Sequence, residues 1–152
     1  VFRALGQLST SANIRNWCLT RALELDDQLD LSRFRKHRFG YRQVLVGDPV
    51  SFIHSLRVLL DPSFAENTDG HLRWRITDGP TTGLRIRGQV AVPTDGKGAD
   101  LEIVLTHAAL ADLFSGRIVF SEAVAAEVIA VNGDLTSVKK LLACFEHSGL
   151  RG

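Results

Sequence analysis

Two short stretches of this chain alternate apolar and charged residues without a break. Leu72, Trp74 and Ile76 are separated by Arg73 and Arg75, and Leu84 and Ile86 are followed by Arg85 and Arg87. A period of two is the signature of a strand that buries one face and wets the other. Strands are therefore expected over residues 71–77, 83–87 and 89–92, with Asp78-Gly79-Pro80 and Gly88 as turns and Asp95-Gly96-Lys97-Gly98 as a looser one. The product is a half-buried antiparallel sheet with a solvated, basic face. Its other face must be covered, and the residues flanking the strands carry the cover.

Asp48-Pro49 opens a helix, since aspartate caps and proline tolerates the first helical position. Phe52, Ile53, Leu56, Leu59 and Leu60 then recur as one apolar stripe, which Asp61-Pro62 stops. On the far side of the strands, residues 101–105 read as a further strand. Thr106 caps a short helix carrying Ala109, Leu110, Leu113 and Phe114, which Ser115-Gly116 ends, and Ser121 starts another. Residues 128–131 are apolar and expected to be extended. Asn132-Gly133 is a turn, and Asp134 caps a final helix with Leu135, Val138, Leu141, Leu142 and Phe145 on one face. Helices on one face of a mainly antiparallel sheet make the fold class α+β.

The first third is different in kind. Residues 9–25 are expected to form one amphipathic helix burying Ile14, Trp17, Cys18, Ala22 and Leu25. Residues 28–47 are a basic connection in which Arg33, Arg35, Lys36, Arg38 and Arg42 alternate with Phe34, Phe39 and Tyr41. Such a run can hold phosphates and stack bases, or attach to anionic lipid. A net charge of +1 over 152 residues gives the molecule no electrostatic reason to seek nucleic acid, so these aromatics are read as packing onto a neighbour. Cys18 and Cys144 lie among apolar residues in helices and are read as buried free thiols. No apolar run reaches the roughly 20 residues of a membrane span. Residues 1–11 lack the basic region and apolar block of a secretory leader. With no methionine and Val1 first, the chain is expected to be a processed product or part of a longer protein, of unknown localisation.

Strand, two small helices, short strand, Gly133-Asp134 and closing helix resemble the C-terminal half of the sterol-carrier-protein fold, in the version appended to alkyl sulfatases. A second match is independent of it. Arg15-Asn16-Trp17, Leu19-Thr20 and Ala22-Leu23-Glu24-Leu25 resemble the last helix of the alkyl sulfatase dimerisation domain, with Cys18 and Arg21 departing from its pattern. The two occur in the family's order. The resemblance implies a remnant of the helical dimerisation domain at 1–27, a basic linker at 28–47 and a sterol-carrier-protein-like domain at 48–152. It implies a homodimer through Arg15, Asn16, Trp17, Leu19 and Glu24. It further implies a non-catalytic module that recruits an aliphatic or lipid-like molecule into an apolar groove, beside a zinc-dependent hydrolase domain of the metallo-β-lactamase type. Candidate groove walls are Phe52, Leu56, Trp74, Ile86, Phe114 and Phe120. A groove and a filled core are built from the same residues, so a purely structural assembly module stands as the alternative.

Catalytic constellations are not evident in the sequence. His37, His54, His71, His107 and His147 make no metal-ligand spacing, and the zinc motif of alkyl sulfatases, His-x-His-x-Asp-His, has no counterpart. There is no Gly-x-Ser-x-Gly elbow and no glycine-rich loop opening a helix. No catalytic residue and no cofactor are therefore assigned to this chain.

Overall fold

The computed structural model describes residues 1–29 and 38–151. The chain packs as two units, Val1–Arg35 and Lys36–Gly152. Of the basic run, Arg33, Phe34, Arg35, Lys36 and His37 lie outside the described residues.

The first unit contains a helical hairpin, α1 (Phe2–Leu8) and α2 (Ala12–Leu25). The sequence reading missed α1, whose apolar residues are too few to declare a period. Gly6 lets the helices approach: a Cβ there would lie 3.0 Å from Leu19 Cγ and 3.2 Å from the Arg15 carbonyl. Phe2 meets Trp17 edge-on at 5.7 Å, and the Arg3 guanidinium binds the Asp26 carboxylate at 2.6 Å. Only Cys18 and Ala22 of the expected stripe are buried within the structure, while Ile14, Trp17 and Leu25 are more than half exposed. A two-helix hairpin has one partner surface, and α1 covers only part of it.

The second unit is a five-stranded sheet of order β3-β2-β1-β4-β5. Its strands are β1 (Gly70–Ile76), β2 (Thr81–Arg87), β3 (Val90–Thr94), β4 (Leu101–Leu105) and β5 (Ala130–Asn132). All pairings are antiparallel except β1 with β4, which sets Trp74 beside Ile103. The helices are α3 (Tyr41–Val46), α4 (Pro49–Ser55), α5 (Pro62–Ala65), α6 (His107–Phe114), α7 (Phe120–Ala125) and α8 (Leu135–Ala143). Leu72, Trp74, Ile76, Leu84, Ile86, Ile103 and Leu105 face inward, where α4 packs on β2 and α8 on β1. The interior is continuous across sheet and helices.

Several local boundaries differ from expectation, each for a visible reason. Residues 41–46, expected in the linker, form α3 because Val44 finds a fully buried site and α3 packs on α6. The Arg117 guanidinium lies 3.6 Å over the Tyr41 ring, and Phe39 stacks on Phe114 at 5.8 Å, so both aromatics pack as read. The expected single helix breaks after Ser55 into a 3-10 turn, Leu56–Leu59, with Leu60 extended, and Asp61-Pro62 opens α5. Helix α7 begins at Phe120 with Val119 as its N-cap, because the Ala123 N–H donates to the Val119 carbonyl at 3.0 Å and leaves Ser121 inside the first turn. Strand β5 starts at Ala130, because the N–H groups of Val128 and Ile129 bond back to the Ala123 carbonyl at 2.9 and 3.2 Å.

Three aspartates start helices by one device. Asp48 and Asp134 each accept two backbone N–H groups of the first turn and Asp61 one, and each also accepts a serine hydroxyl, from Ser51, Ser137 and Ser63 respectively, at 2.6 Å. The hydroxyl is the largest cause holding each carboxyl below its ordinary value. A carboxyl that is more acidic when folded stabilises fully above its unfolded value, near pH 4, and loses that contribution as pH falls through the folded value. Urea midpoints should therefore fall below about pH 4. Asp48→Asn, Asp61→Asn and Asp134→Asn combined should flatten that acid limb.

The C-terminal segment closes the core. Gly149 passes so near the end of α6 that a Cβ would lie 1.9 Å from the Leu113 carbonyl oxygen. Leu150 beyond it is buried. Gly149→Ala is expected to cost about 3 kcal/mol or more by overpacking, measured by denaturant unfolding.

Candidate functional site

The apolar interior is built around an aromatic cluster between β1 and α6. Trp74 meets Phe114 edge-on at 6.0 Å, and Phe39 lies 5.3 Å from Phe52. His147 completes the cluster, 5.2 Å from Phe114 and 1% exposed. Its Nε2–H donates to the Phe114 carbonyl at 3.1 Å, and its Nδ1 accepts the Gly149 N–H at 3.2 Å. Both ring nitrogens are thus engaged by backbone, which fits a structural role for this imidazole. Sequence reasoning passed over His147 because it falls after the last periodic helix.

The six expected groove walls gather in this interior. Leu56, Trp74 and Phe114 are 0% exposed, Phe120 is 1% and Ile86 is 2%; Phe52 is half-buried at the edge. One polar atom stands out: Trp74 Nε1 is buried and has no hydrogen-bond partner among the described residues. At Leu56 the packing is complete, so Leu56→Ala is expected to cost about 2–5 kcal/mol in denaturant unfolding.

Open space lies elsewhere. A cleft of about 510 Å³ runs between α7, β5 and the start of α8, lined by Val124, Ile129, Val131 and Leu135 with Glu127 at the rim. None of Phe52, Leu56, Trp74, Phe114 and Phe120 lines it. Its residues come from three elements that sequence periodicity treats separately, and β5 is too short to show a pattern. A second cleft, of about 450 Å³, lies against β1 and β2 and is polar, with Ile86 as its one large apolar neighbour.

The other polar groups are largely spoken for. The His54 Nε2–H donates to the Thr82 hydroxyl at 2.6 Å, and that hydroxyl donates to the Thr94 carbonyl at 3.2 Å. His107 Nε2 reaches the Val44 carbonyl at 2.8 Å, and His71 Nε2 the Thr94 hydroxyl at 2.8 Å. Cys144 is buried, and that burial pushes its thiol pKa up. Cys18 and Cys144 are both free thiols. Among the described residues no three His, Cys, Asp or Glu side chains are grouped to hold a metal ion. No helix among them is long and apolar enough to cross a membrane. In the first unit, Arg15, Asn16 and Trp17 are exposed, Leu19 packs on Gly6, and Glu24 accepts from Arg21.

The family model described as Alkyl sulfatase C-terminal matches residues 47–149. No curated protein sequence matches the chain. Among solved structures the chain is similar to a double mutant of the sec-alkyl sulfatase PisA1, with a TM-score of 0.61 and 21% identity, over 95% of this chain and 23% of that one. The stereoselective inverting sec-alkylsulfatase Pisa1 from Pseudomonas sp. gives a TM-score of 0.60 at 21% identity, over 95% of this chain and 23% of its own. The ubiquinone synthesis protein UbiJ-SCP2 gives 0.51 at 16% identity, over 63% of this chain and 91% of that one. The chain thus spans under a quarter of the sulfatases it resembles. At these identities the likeness establishes the fold, which is α+β and sterol-carrier-protein-like.

Proposed function

Because the chain belongs to the alkyl sulfatase C-terminal family, we propose that it is the non-catalytic module of an alkyl sulfatase-like hydrolase and takes up an aliphatic or lipid-like molecule. The observation that carries this reading is the cleft lined by Val124, Ile129, Val131 and Leu135. Its volume of about 510 Å³ falls within the range of small-molecule pockets, and aliphatic walls lose less by desolvation than polar ones. The six interior residues are packed in the core and do not line this cleft. The alternative, an assembly module with a solid core, draws support from the complete burial of Leu56, Trp74 and Phe114.

A long-chain alcohol titrated into the Trp17→Phe variant separates these. Methyl resonances of Val124, Val131 and Leu135 should shift saturably, at concentrations on the order of micromolar. A saturable change in Trp74 emission as well would mean that the ligand reaches the aromatic interior. If neither signal moves, the lipid reading fails and the assembly role remains.

In this proposal the chain has no cofactor of its own, and the catalytic zinc belongs to a domain outside these residues. Elemental analysis should find less than one zinc per chain, and dodecyl sulfate should not be turned over. One tightly held zinc with turnover would overturn the non-catalytic assignment. A homodimer is the last element of the proposal. Ile14, Trp17 and Leu25 are 57%, 64% and 56% exposed, an apolar set that a second copy would cover. Sedimentation should give a dimer that Trp17→Glu disrupts; a monomeric unaltered chain would remove this element.

A further inference from the structure

The arginine face of the sheet is not an open plane. Strand β3 ends at Thr94 beside Gly83, and β4 begins at Leu101 beside Leu72, so residues 95–100 must pass over β2 and β1. They do so in contact. A Cβ on Gly83 would lie 2.7 Å from Gly96 Cα, and a Cβ on Gly96 would lie 2.9 Å from Arg73 Cγ. The Arg73 Nε–H donates to the Gly96 carbonyl at 2.8 Å. This crossing walls off the cleft of about 450 Å³ noted above. His71, Arg85 and Arg87 line it from the strands, Gly98 and Asp100 from the crossing segment, and Asp69 from the approach to β1.

The charges around this cleft are unusual in what they leave unmet. Arg73 and Arg75 both reach Glu102, at 3.6 and 3.5 Å, which occupies the other half of the arginine face. The guanidinium groups of Arg85 and Arg87, two apart on β2 and so on one side of it, make no ion pair or hydrogen bond among the described residues. The Asp69 carboxylate accepts only the Gly88 N–H at 3.2 Å, and Asp100 has no ion-pair partner. Two guanidinium groups and two carboxylates therefore border one space without pairing. Guanidinium forks match planar or tetrahedral oxyanions. Carboxylates accept from ammonium groups. A simple anion would be drawn by one pair and repelled by the other.

We propose that this cleft binds a small zwitterion, its oxyanion toward Arg85 and Arg87 and its ammonium group toward Asp100 and Asp69. The site lies on the opposite side of the sheet from the apolar interior, so it stands or falls independently of the aliphatic-ligand reading. The crossing segment breaks the face at mid-height, which suits a small molecule rather than a flat protein partner.

O-phosphoethanolamine is the probe, followed by nitrogen–proton resonances of the full chain including the Arg Nε–H groups. Saturable shifts are expected at His71, Arg85, Arg87 and Asp100, with a dissociation constant of about 1 mM or tighter. Arg85→Gln with Arg87→Gln, and separately Asp100→Asn, should each weaken binding about tenfold or more. Unfolding midpoints should be unchanged, because none of these side chains has a protein partner to lose. Inorganic phosphate alone and ethanolamine alone should each bind more weakly than the probe. Co-sedimentation with phosphatidylethanolamine vesicles would assign the zwitterion to a lipid headgroup; binding of the free probe without it would assign a soluble molecule. No saturable shift with any probe overturns the proposal. So does phosphate binding as tightly as the probe and growing tighter in Asp100→Asn, which would mark an anion site only.

Discussion

Strand β4 can pair with β1 only if residues 95–100 cross the face of the sheet, and the crossing is possible only where two backbones touch. Gly83 and Gly96 make that contact, with no room for a Cβ on either. Everything downstream hangs from β4: α6 follows it directly, β5 closes its other edge, and α8 returns to β1. The parallel pairing sets Ile103 beside Trp74 and so brings the two halves of the apolar face together. A side chain at either glycine would displace the segment that makes the single parallel ladder.

The interior that results is tight where it is central and loose at its margin. Leu56, Trp74, Leu110 and Phe114 lose all contact with solvent, and Gly149 threads past Leu113 with nothing to spare. Around α7 and β5, where the sheet is three residues long at its edge, aliphatic side chains line a cleft instead of filling it. A short edge strand presents too little surface for complete cover, so space is left where the sheet gives out. That is the physical basis for proposing ligand uptake at the edge rather than beneath the centre of the sheet.

Electrostatics divide the arginine face unevenly. Glu102 on β4 is shared between Arg73 and Arg75, while Arg85 and Arg87 are left facing Asp69 and Asp100 across open space. The three capping aspartates accept from serines within one turn, and Asp61 also pairs with Arg151 at 3.5 Å.

Local chemistry was legible in the sequence. The Leu-Arg-Trp-Arg-Ile and Leu-Arg-Ile-Arg alternations fix two strands and their buried sides, because side-chain direction in a strand is set by position alone. Asp48, Thr106 and Asp134 announce helix starts through hydrogen bonds made within three residues. What tertiary structure decided are the features that depend on residues far apart in the chain. Helix α3 exists within the expected linker because Val44 meets α6. The Phe120 N–H at the start of α7 finds its acceptor in Gly149, and α1 is held by a contact between Gly6 and Leu19. Whether an apolar residue lines a cavity or fills one is also a tertiary matter, since burial depends on what the rest of the chain brings to the other side. Residue type and spacing therefore determined the sheet, its covered face and the caps, and three-dimensional packing alone determined where space was left.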